Sequence, residues 1–218
     1  MAEPAASAFP LDWGLQPLLD WRDLPLDLPS LAALAAGLGW ASGLRLYALV
    51  FALGALGRFG GVHLPGGLEV LTHPLVLGLS DLMLLAEFFA DKLPWLDSAW
   101  DAVHTFIRIP AGAALAGAAA GDQGTAFTVA MALLGGTLAA STHFAKAGAR
   151  AVVNTSPEPV TNITASLGED AVFIGGLWLL FHHPLWFLGG LVVFLATAGT
   201  LLVMAWRGLR RRWRPREE

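Results

Sequence analysis

Arg45 lies in the middle of an apolar run, Glu87 and Asp91 end another, His143, Lys146 and Arg150 punctuate a third, and Glu169 and Asp170 interrupt a fourth. A charge near the centre of a bilayer costs about 2.5–3.5 kcal/mol on insertion scales, so a chain keeps one there only with a partner or a task. Two tasks fit these side chains. A buried carboxylate can exchange a proton or hold a cation. A basic row can hold an anion or balance the acids.

The spacings place these groups on helical faces. Ser80, Glu87 and Asp91 share one face. Glu87 is expected to lie deep and to pair with Arg45, while Asp91, followed by Lys92 and Pro94, is expected near the membrane surface. The pair is either a structural lock or a proton or ion site. His143, Lys146 and Arg150 form a basic stripe that Asn154 continues. It either lines an anion site or balances Glu169 and Asp170. Asn162, Ser166 and Glu169 form a polar face. Asp97, Asp101, His104 and Arg108 form a fourth stripe. Its acids and histidine have ligand chemistry for a divalent cation, but Arg108 one turn on would oppose a cation and pair with Asp101 instead. No catalytic residue, metal site or cofactor is assigned.

Composition supplies the setting. Of 218 residues, 56% are hydrophobic and 14% charged, and the mean hydropathy is +0.61. Soluble domains carry about 25% charged residues, so the chain reads as an integral membrane protein. It has no cysteine, which excludes disulfides and thiolate chemistry. GxSxG, P-loop and HExxH motifs are missing. The last twelve residues hold six of the 13 basic residues and two of the 17 acidic ones. Arginines after a hydrophobic span favour the cytoplasm, and this short tail reads as a topology signal rather than a nucleic-acid binder.

Six spans are expected, at about 30–57, 73–91, 98–120, 124–150, 159–182 and 184–206. Residues 1–29, with Trp13 and Trp21 among acids, read as an interfacial segment rather than a signal peptide. Residues 30–206 form the membrane domain and 207–218 a basic tail. An even number of spans puts both termini in the cytoplasm of a bacterial inner membrane. After Pro110 the third span reads AGAALAGAAAG, a small-residue face suited to internal packing or to a homo-oligomer.

The halves, 30–121 and 124–206, share a plan. Each has a helix with a basic stripe, a proline-started helix with an acidic stripe, then a third helix. The fold class expected is an all-α membrane bundle with a 3+3 inverted repeat and broken or re-entrant helices, a transporter signature. The turn Thr155-Ser156-Pro157-Glu158-Pro159 can start a helix whose free N–H groups suit an anion, with Glu158 inside it.

The segment SGLRLY, the block EFFADKLPWLDSAWDAVHTFIR at 87–108, and NTSPEPVTN with the following SLGED resemble the domain-of-unknown-function 4126 family of bacterial membrane proteins. The resemblance runs from about Leu31 to Phe194. It implies a small helical membrane protein and supplies no substrate.

The leading functional expectation is a small secondary transporter, proton- or ion-coupled, moving an anionic or zwitterionic solute or lipid headgroup. Its partners are membrane lipids and that substrate. An intramembrane lipid-modifying enzyme centred on Asp97, Asp101 and His104 is one alternative. A non-catalytic membrane scaffold, in which every charge closes on a partner, is the other.

Overall fold

A computed structural model describes residues 28–154 and 159–212. The expectations for the N-terminal segment through residue 27, for Glu158 and its turn, and for the last six residues lie outside the described residues. Among the described residues the chain is an all-α membrane protein. Its helices are α1 (Leu28–Phe59), α2 (Pro74–Ala90), α3 (Pro94–Ala119), α4 (Thr125–Val153), α5 (Pro159–His182) and α6 (Pro184–Arg212). Short 3-10 helices, Gly66–Thr72 and Gly121–Gln123, precede α2 and α4. Five helices are long and apolar enough to cross a membrane. The sixth candidate is the 3-10 helix with α2, bent by 74° at their junction.

Local chemistry explains the boundaries. Four of the six helices begin at a proline (74, 94, 159 and 184), where the missing N–H costs nothing and the fixed φ suits the first turn. His73 caps α2, its Nδ1 accepting from the Leu75 N–H at 3.2 Å. Gly61 (φ 68°) and Gly124 (φ 92°) take left-handed backbone after α1 and before α4. Pro110 does not end α3, which runs on to Ala119. The arginine tail begins as helix, because α6 continues to Arg212.

α1 is the central helix and touches all five others. It is also broken. Arg45 has φ −143° and ψ 71°, extended geometry inside an otherwise helical run. Such a break loosens the i→i−4 ladder around it, and within a membrane the freed backbone groups need partners from neighbouring elements. Lys146 supplies one, donating to the Leu44 carbonyl at 3.4 Å.

Small residues bring three helices into close contact. Gly39 of α1 lies on the Gly135 backbone of α4, and Gly135 in turn lies on Gly112 and Ala116 of α3. A Cβ at Gly39 would sit 2.7 Å from the Gly135 Cα, and one at Gly135 would sit 2.6 Å from the Gly112 carbonyl oxygen. The AGAALAGAAAG face is therefore spent on packing within the chain. Large apolar side chains such as Phe106, Trp186 and Val193 point outward.

Gly135→Ala should be destabilising by about 1–3 kcal/mol, since backbone atoms stand where the methyl would go. Gly78→Ala, where a Cβ meets nothing within 4 Å, should be neutral or slightly stabilising. Thermal unfolding followed by size exclusion in detergent checks the contrast, and equal midpoints would contradict it.

Candidate functional site

The charged stripes of α1 to α5 converge on one buried cluster. Arg45, at the break of α1, pairs through Nη1 with Asp91, just past the end of α2. Its Nη2 reaches Asp170 of α5 at 2.9 Å and donates to Ser166 Oγ at 3.1 Å. Arg108 of α3 pairs with Glu87 of α2 and, at 2.9 Å, with Asp101 two turns back on its own helical face. Arg150 of α4 grips both oxygens of Glu169 of α5, at 2.7 and 3.0 Å, the bidentate geometry that suits a guanidinium. Its Nη1 donates to Asn162 Oδ1 at 2.9 Å.

Lys146 stands at the centre. Its ammonium has four carboxylates around it, Glu169 at 3.5 Å, Asp91 at 3.7 Å, Glu87 at 3.9 Å and Asp101 at 4.0 Å. It is thus a shared counter-ion rather than half of one tight pair.

Amides and histidines extend the cluster. Asn154 donates to Asp97 Oδ2 at 3.0 Å, and Asn162 donates to Asn154 Oδ1 at 3.1 Å. Arg108 can only donate, so at 3.3 Å it makes His143 Nδ1 an acceptor. That fixes neutral His143 with its proton on Nε2, which faces Thr105 Oγ1 at 2.7 Å. Thr105 passes its own proton to the Asp101 carbonyl at 3.0 Å. His104 meets the Trp100 carbonyl through Nδ1 at 2.7 Å and the Tyr47 hydroxyl through Nε2 at 3.0 Å. Its neutral form therefore carries the proton on Nδ1.

One expectation is corrected. Glu87 pairs with Arg108, not with Arg45. Asp91 is fully enclosed by protein, and the Arg45 guanidinium at the break of α1 lies on it at the end of α2. The basic stripe also divides. Lys146 and Arg150 meet Glu169, whereas His143 turns to Thr105 and Arg108, and Asp170 goes to Arg45. Arg108 takes Asp101, as its charge demands. The polar face of α5 holds, with Asn162 and Ser166 buried. Tyr47, Trp100 and Thr105 escaped the sequence reading. The signal for Tyr47, the one tyrosine of the chain, was its place two residues after Arg45.

The cluster holds four cations, Arg45, Arg108, Lys146 and Arg150, against six carboxylates, Glu87, Asp91, Asp97, Asp101, Glu169 and Asp170. With both histidines neutral its formal charge is −2. Glu87 Oε2 and Asp101 Oδ2 are buried with no hydrogen-bond partner. Beside the cluster lies a cavity of about 870 Å³ with walls from α1, α4, α5 and α6. Among the described residues its charged lining residues are Lys146 and Glu169.

Arg108→Leu strands Glu87 and Asp101 in a low-dielectric interior. Breaking a buried pair by removing one partner costs about 3–5 kcal/mol. The double variant Arg108→Leu/Glu87→Gln should recover part of that loss. Thermal unfolding of the three proteins is the check; a double variant no more stable than Arg108→Leu would show that Glu87 is not the partner that matters.

No curated protein and no solved structure matches the chain. Residues 32–204 match a family described as a domain of unknown function, DUF4126. That stretch includes every side chain of the buried cluster, and on this match the chain belongs to the DUF4126 family.

Proposed function

We propose that the protein is a small secondary-transporter-like membrane protein that moves an anionic or zwitterionic solute or lipid headgroup, coupled to protons or another cation. The observation that carries this reading is the imbalance of the buried cluster, six carboxylates against four cations. Asp170 has 34% of its side chain accessible and is partly hydrated; the other five carboxylates still outnumber the four cations, and an uncompensated negative charge in a low dielectric calls for a proton or cation. Glu87 is the coupling carboxylate. One oxygen is held by Arg108 and the other is buried without a donor, ready to carry a proton. The negative balance favours a zwitterionic cargo over an anionic one.

The arrangement of stripes supports an inverted repeat, basic on α1 and α4 and acidic on α2 and α5, with the cluster at the meeting of the halves. The halves differ in that α1 breaks at Arg45 while α4 is continuous. In this reading the protein sits in a bacterial inner membrane with both termini in the cytoplasm, as the terminal arginines favour.

The salt bridges favour the scaffold alternative, and the cavity at Lys146 and Glu169 weighs against it. For the enzyme alternative, Asp97, Asp101 and His104 are already engaged with Asn154, Arg108 and Tyr47.

The test is lipid flipping in proteoliposomes with fluorescent zwitterionic and anionic phospholipids, read by external quenching across a range of pH. The wild type should flip in a pH-dependent way. Glu87→Gln should be at least about tenfold slower, a barrier increase of about 1.4 kcal/mol, and insensitive to pH. Equal, pH-insensitive rates for both proteins would overturn the role of Glu87.

A further inference from the structure

We infer that the cavity between α4, α5 and α6 is a binding site for an ammonium-headed lipid, its alkyl chain along α4 and α6 and its head at Glu169 and Lys146. This names the cargo class of the carrier proposed above and rests on that reading for its part in transport; the binding itself stands on the geometry that follows.

Among the described residues the cavity has charged chemistry at one place. Lys146 and Glu169 lie together, Nζ to Oε2 at 3.5 Å, and the remaining lining is apolar or small, apart from Thr197. The hydroxyl of Thr197 is turned back onto the Val193 carbonyl at 2.8 Å. At the rim, Val152, Leu201 and Met204 are 65%, 61% and 64% exposed. Such an exposed apolar rim suits hydrocarbon better than water. A soluble solute would be stripped of water along that path, whereas an alkyl chain loses nothing. The volume of about 870 Å³ lies within the roughly 300–1,000 Å³ of small-molecule sites.

The charge at the floor selects the head. Lys146 is almost fully enclosed and already faces four carboxylates, so it has little field left for an anion. Glu169 is the more open of the two, with 16% of its side chain accessible. Arg150 holds both its oxygens and so fixes the carboxylate rigidly in the cavity wall. The cluster behind is negative overall. An ammonium is complementary to that surface. An anionic head finds no cation at the floor that is not already engaged with carboxylates.

Small residues keep the space clear. A Cβ at Gly168 would meet nothing within 4 Å, and one at Gly148 would meet only the tip of Leu202. Gly168→Leu therefore has room for its Cβ beside the cavity, and Ala198→Phe adds bulk from the α6 wall; both leave Lys146 and Glu169 in place.

The experiment reconstitutes the full chain in nanodiscs of equal phosphatidylethanolamine and phosphatidylglycerol, extracts it in detergent, and quantifies retained lipid by mass spectrometry. The wild type should retain phosphatidylethanolamine over phosphatidylglycerol by at least about fivefold, the ratio that about 1 kcal/mol gives. Gly168→Leu and Ala198→Phe should lose that enrichment. A diazirine-bearing phosphatidylethanolamine should label α4 and α6 of the wild type, a readout independent of whether either variant folds. Retention that mirrors the nanodisc mixture, enrichment of phosphatidylglycerol, labelling confined to other helices, or cross-links placing residues 1–27 or a second copy in the cavity would each overturn the inference. Selective retention without pH-dependent flipping would keep the site and remove the carrier reading. Flipping without selective retention would remove this inference alone.

Discussion

Four cations buried in a low-dielectric interior must each find carboxylates, and that requirement organises the bundle. Removing an ion from water costs several kcal/mol even after relaxation, and only close partners with hydrogen bonds offset it. Arg45 ties α1 to α2 and α5, Arg108 ties α3 to α2, and Arg150 ties α4 to α5. Lys146 lies among acids from three helices and holds the centre together. Five of the six helices are thus joined by charge, and their relative rotations follow from it. The small residues of α1, α3 and α4 serve the same end. Without the near contact of Gly39, Gly135 and Gly112, Lys146 on α4 could not reach Leu44 and the acids behind it.

The break at Arg45 is where helix geometry and charge geometry meet. A continuous α1 would carry Arg45 at a fixed angle on its surface. Extended backbone at that one residue lets the guanidinium span Asp91 and Asp170, which belong to different helices. The Leu44 carbonyl beside the break then becomes an acceptor for Lys146. Irregular backbone inside a membrane protein persists where such partners exist, and here the cluster itself supplies them.

In the proposed function, the same crowding that stabilises the cluster makes it sensitive to protonation. Adding a proton to Glu87 changes its pull on Arg108 and on Lys146, and Lys146 also faces Glu169 at the cavity floor. A change of charge at α2 is thereby felt where a cargo would sit. α6 contributes nothing to the cluster, yet it forms a wall of the cavity.

The sequence by itself determined the six helices, the proline at the start of four of them, the basic and acidic stripes, and the small-residue face of α3. Each of these is local: apolar length, a ring that fixes φ, a period of 3.6 residues. It also placed Arg108 against Asp101, because both lie on one helix. Only the tertiary structure decided that Glu87 belongs to Arg108, that Asp91 is enclosed, that α1 breaks at Arg45, and that His143 leaves its stripe for Thr105. Partners on different helices depend on how far each helix slides and rotates against its neighbour, and a rotation of one residue step, about 100°, exchanges one partner for another. The cavity was equally invisible, since a gap is a property of how α4, α5 and α6 fail to meet rather than of any residue within them.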